Sequence, residues 1–99
     1  MKVCHVRPLP KFSHNAMLQL RAKRGIEFIR LLRRLPGWEE VKNWHGHLRF
    51  LNRDLPFGRN TIEIHYHHGR TRLTERFLRQ VLARLALDEE QLKELHFIK

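Results

Sequence analysis

The chain has 99 residues, a single cysteine, 41% hydrophobic and 30% charged residues, and a formal net charge of +10. That length suits one domain with one core, and the balance is that of a folded chain rather than a disordered one. The apolar runs are too short for a transmembrane helix, and the excess of basic side chains favours a polyanionic partner, nucleic acid or an acidic protein, over a membrane surface.

The opening "MKVCHVRPLPKF" carries Pro8 and Pro10, which forbid helix, and no apolar run, so it does not read as a signal peptide. Cys4 lies in this stretch. Alone it can form neither an internal disulfide nor a cysteine-based zinc site, which suits a reducing, cytoplasmic setting, and near a loose terminus it does not read as a nucleophile. From Ser13 a helical pattern runs through Met17, Leu18 and Leu20, and Gly25 weakens it by about 1 kcal/mol relative to alanine. "GIEFIRLLRRL" is the stronger helix. Ile26, Phe28, Ile29, Leu32 and Leu35 line one side of it, Arg30, Arg33 and Arg34 lie outside, and Pro36-Gly37 stops it.

The period then changes. "WEEVKNWHGHLRFLN" reads as strand, with Gly46 a turn or bulge that splits it in two. "RDLPFGRN" is a loop, in which Asp54 reads as a turn residue rather than a metal ligand. "TIEIHYH" alternates as the next strand. After "HGRTR" a second helix, "LTERFLRQVLARLAL", has Thr74 as N-cap, Glu75 in its first turn, and Phe77, Leu78, Val81, Leu82 and Leu85 as its buried stripe. Asp88 and Gln91 form a capping box for a short last helix. The expected fold class is therefore α+β: a small three-stranded antiparallel sheet, in the order α-β-β-β-α, with the helices packed on one face.

The strand histidines point to the other face of that sheet. Alternation through Gly46 gives His45, His47 and Arg49 one side and Trp44, Leu48 and Phe50 the core side; a bulge would flip part of this set and make Trp44 a stacking platform instead. On the neighbouring strand Glu63, His65 and His67 share the open side, while His68 belongs to the turn. Three readings stand. Imidazoles titrate near neutrality, so a pair can act as base and acid in RNA cleavage by the 2′-hydroxyl, with an arginine stabilising the phosphorane. The His45/His47 and His65/His67 pairs could hold zinc, although no cysteine accompanies them. Or they are surface residues of an exposed strand. Arg70, Arg72, Arg76 and Arg79 gather at the start of the second helix, where free backbone N–H groups also favour an anion; a solvated helix face is the plain alternative. Trp38 reads as a core-closing residue, and His5, His14 and His96 as ordinary surface residues.

Four segments carry a resemblance: "RGIEFIRLLRRLPGWEEV", "NWHGHLRF", "IEIHYHHG" and, most specific in spacing, "TRLTERFLRQVLARLALDEEQLKEL". From about Arg24 to Leu95 the chain resembles the HicA (YcfA-like) family of toxin mRNA interferases. The resemblance implies a fold similar to a double-stranded-RNA-binding domain, with residues 24–99 as the nuclease domain and residues 1–23 as an extension of unassigned role. It implies a ribosome-independent endoribonuclease that cleaves mRNA without a metal or other cofactor and is neutralised by a HicB-like antitoxin. The family's catalytic histidine lies in a Gly-Ser-His segment. Matching without a gap places it at His45, and anchoring on Gly46 and Phe50 places it at His47; the Gly-Ser pair is absent here and the family's proline falls on His65. His65 and His67 then supply a second proton carrier, and Arg49 and the helix arginines bind RNA. A non-catalytic RNA- or DNA-binding module of the same fold is the alternative, and a metal-binding regulatory protein the third.

Overall fold

In the computed structural model, residues 11–41, 47–65 and 72–99 are described, His47 and His65 by their backbone alone. Helix α1 spans His14–Ala22, α2 Gly25–Arg34, α3 Glu75–Leu85 and α4 Glu89–Glu94, and the strands are β1 Glu39–Val41, β2 His47–Leu51 and β3 Thr61–His65. The caps follow from the sequence. Ser13 Oγ accepts the Ala16 N–H at 3.1 Å, Thr74 Oγ1 accepts the Phe77 N–H at 3.2 Å, and Asp88 and Gln91 exchange bonds at 2.8 and 2.9 Å. At α2 the N-cap is Arg24, whose guanidinium has no acceptor to offer, so Glu27 Oε2 supplies the bond alone, taking the Arg24 N–H at 2.6 Å.

The strands form one antiparallel sheet in the order β1-β2-β3. Phe50, Ile62 and Ile64 are buried on one face, where α2 packs against β1 and β3 and α3 against β3. The small α+β architecture with helices on one face is as the periodicity requires. Trp38 packs partly buried against this core, and residues 52–60 form the loop between β2 and β3.

Two details differ from the simple stripes. On α2, Leu31 is fully buried with Phe28, Ile29 and Leu32, while Ile26 and Leu35 are only partly covered. The cause is a second layer. Leu92, Phe97 and Ile98 from the C-terminal segment are buried too, and the Phe97 ring meets Phe28 edge-on, centroids 5.0 Å apart, so α2 is covered over a wider arc than a two-layer packing would give. The other detail is α1, which lies within the extension 1–23 yet contributes Ala16 and Leu20 to the same core.

Candidate functional site on the open sheet face

The register decides which residues can meet. His47 pairs with His65, Arg49 with Glu63 and Leu51 with Thr61 across β2 and β3, while Val41 and Glu39 of β1 pair with Arg49 and Leu51. Alternation puts these positions opposite Phe50, Ile62 and Ile64, on the face away from the helices. Directly opposed residues have Cβ atoms about 4.5–5.5 Å apart, so positions 47 and 65 are cross-strand neighbours. Glu40, one step out of phase, faces the helices, and Arg33 of α2 reaches it with two bonds of 2.8 and 3.1 Å.

The sequence reading placed Arg49 and Glu63 on one face; the structure joins them. Arg49 Nε donates to Glu63 Oε2 at 2.8 Å and Nη2 to the same oxygen, and both side chains are about half exposed. At the rim of this face Arg53 pairs with Glu39 at 2.9 Å. Each described arginine here is therefore balanced by a carboxylate. A signal for the first pair existed: opposite charges on adjacent strands with the same outward phase are the usual content of a cross-strand pair, once the register is known.

His45, His67 and Arg70 lie outside the described residues, as do Trp44 and His68. Among the described residues no three His, Cys, Asp or Glu side chains gather, and the His-x-His pairs fall outside that description. Neither a protein family, a curated protein nor a solved structure matches the chain.

The helix arginines are divided by their partners. Arg79 is held by Glu75 at 3.1 Å, and Glu75 also takes Arg21 of α1 at 3.0 Å. The hydrogen bond from Arg21 is the main cause that keeps the Glu75 carboxyl below its ordinary range, with the charge of Arg21 and both interactions of Arg79 adding to it. The place an anion would take at the N-terminus of α3 is thus served in part by the chain's own Glu75. Arg76 is exposed in that first turn and makes no ion pair among the described residues; Arg72 is exposed just before it, its backbone bridged to Arg24. Arg30 and Arg59 likewise face no carboxylate among the described residues. Among the described residues, the uncompensated charge that could attract a polyanion sits on the helix side and the β2–β3 loop, whereas Arg49 and Arg53 are paired.

Proposed function

We propose that the chain is a small RNA-binding endoribonuclease of the HicA type, a toxin that cleaves mRNA and is restrained by a HicB-like antitoxin. The observation that carries this reading is the direct opposition of His47 and His65 in the β2–β3 register, on the sheet face away from the helices. Cleavage by the 2′-hydroxyl needs one group to remove its proton and one to protonate the leaving 5′-oxygen. Two imidazoles on facing positions suit that division of labour, and the scheme uses side chains alone. The net charge of +10 favours the phosphate backbone as ligand. His45 and His67, two residues away from these positions in the sequence, are the further candidates.

The test is a cleavage assay on purified protein with an unstructured RNA. Loss of cleavage in both His47→Ala and His65→Ala, with RNA binding retained, is the expected result. Cleavage that survives in both would remove these positions from the chemistry and leave His45 or His67.

The Arg49–Glu63 pair favours a second reading, a non-catalytic RNA- or DNA-binding module. A guanidinium already neutralised by a carboxylate is poorly placed to stabilise a phosphorane. Salt-sensitive binding with no cleavage by the wild-type chain would establish it.

A further inference from the structure

Phe57 is 97% exposed, at a place where the backbone is firmly built. It occupies the second position of a four-residue turn from Pro56 to Arg59, closed by the Arg59 N–H on the Pro56 carbonyl at 3.0 Å. Gly58 takes φ +92° at the third position while Phe57 keeps a negative φ, the pattern of a type II turn. The rest of the loop is pinned as well. Asn52 N–H reaches the Asn60 carbonyl at 2.8 Å, Asn52 Oδ1 accepts the Asp54 N–H at 3.0 Å, and Arg84 of α3 donates to the carbonyls of Thr61 and Gly58. A phenyl ring held out in water by a braced turn gains nothing for the fold, since it has no apolar neighbour to exclude solvent.

The surroundings indicate what would cover it. Arg59 and Arg84 face no carboxylate among the described residues, Arg84 spending its bonds on neutral carbonyls; Glu39 offsets Arg53, and Asp54 is the loop's own acid. The balance is positive. A flat ring in a turn that carries Arg59, and whose Gly58 carbonyl the Arg84 guanidinium reaches at 3.5 Å, matches an unpaired nucleobase with its phosphate, the combination by which single strands are held without sequence preference. We infer that Phe57 is a stacking platform for an unpaired base of a single-stranded nucleic acid. This rests on the nucleic-acid-binding reading above and narrows it, because a base must be out of a duplex to stack there. β2 runs from His47 to Leu51, about 14 Å of strand at the usual rise, so the loop and the His47–His65 pair lie at opposite ends of one ladder. A single strand that reaches both must span at least that distance.

The experiment uses fluorescence anisotropy with a labelled single-stranded 2′-O-methyl oligoribonucleotide, which lacks the attacking hydroxyl and cannot be cleaved by that route, and with its duplex. Phe57→Ala should weaken single-strand binding about five- to 150-fold and leave duplex binding unchanged, and Phe57→Trp should restore the single strand. Because the side chain is exposed, the far-ultraviolet circular dichroism and the unfolding midpoint should not move. If the wild-type chain binds the strand and Phe57→Ala binds it within about twofold, the platform is wrong and the nucleic-acid reading stands. If the wild-type chain binds neither oligonucleotide at low salt, both fall together. A dimer in light scattering that Phe57→Ala turns into monomer would assign the ring to self-association and overturn the platform.

Discussion

Arg49 and Glu63 stand directly opposite one another on β2 and β3, and the guanidinium closes onto one carboxylate oxygen from two nitrogens. The pair is about half exposed, so its worth to the fold is small, of order 0.2–1 kcal/mol. Its consequence for ligand binding is larger. Glu63→Gln keeps the shape and removes the charge, releasing Arg49 toward a phosphate. Affinity for RNA should rise, and the salt dependence of binding should steepen by about one phosphate contact. Titrations at several salt concentrations measure this directly. An unchanged slope would show that RNA does not approach this face.

α1 belongs to the core although its surface is mostly polar. Leu20 is fully buried, whereas Leu18, two residues earlier, is half exposed. Leu20→Ala should therefore cost about 2–5 kcal/mol in urea unfolding, and Leu18→Ala no more than about 0.5 kcal/mol. Equal, small effects would mean that α1 does not pack into the core in solution.

How much of this was legible beforehand depends on the range of the interaction. The caps at Ser13, Thr74 and Asp88 are local, involving partners three residues away, and could be read from residue type and position. So could the inward phase of Phe50, Ile62 and Ile64, because strand alternation is a property of the strand itself. The burial of Leu31 was not legible, since it depends on Phe97, whose place on α2 no local pattern specifies. Arg49 shows the same limit at the candidate site. Its outward phase was readable, but its neutralisation by Glu63 required the register between two strands joined by a nine-residue loop. Phe57 was in plain sight between Pro56 and Gly58; a large apolar residue in a turn that neither helix nor strand can absorb is a signal in itself.

Acid should loosen the molecule at its carboxylate ties. Glu40 is held below its ordinary range chiefly by the hydrogen bond from Arg33, Glu75 by that from Arg21, and Glu89 by the Ser13 N–H. Each carboxyl is more acidic folded than unfolded. Each therefore stabilises the fold at pH above the unfolded value near 4.5, and that contribution disappears as pH falls through the lower folded values. The unfolding temperature should be flat from neutrality to about pH 5.5 and decline below about pH 4.5. In Glu75→Gln, which loosens the tie between α1 and α3, the decline should be shallower and start from a lower plateau. A variant with the wild-type plateau and slope would show that exposed Glu75 adds nothing.

The turn that presents Phe57 can be tested apart from any ligand. A methyl group placed on Gly58 would meet no atom within 4 Å, so a substitution there creates no clash with the rest of the protein. What remains is the backbone: φ of +92° is a conformation that an alanine adopts only at a cost of about 1–2 kcal/mol. Gly58→Ala should lose about that much stability in urea unfolding, and Gly58→Asn less, since asparagine tolerates positive φ. The same order should appear in single-strand affinity, because a turn that relaxes its φ no longer presents the ring in one fixed direction. Stability lost in that order with affinity unchanged would separate the turn from the binding function. No loss in Gly58→Ala would mean that the positive φ is not kept in solution, and the fixed presentation of Phe57 would go with it.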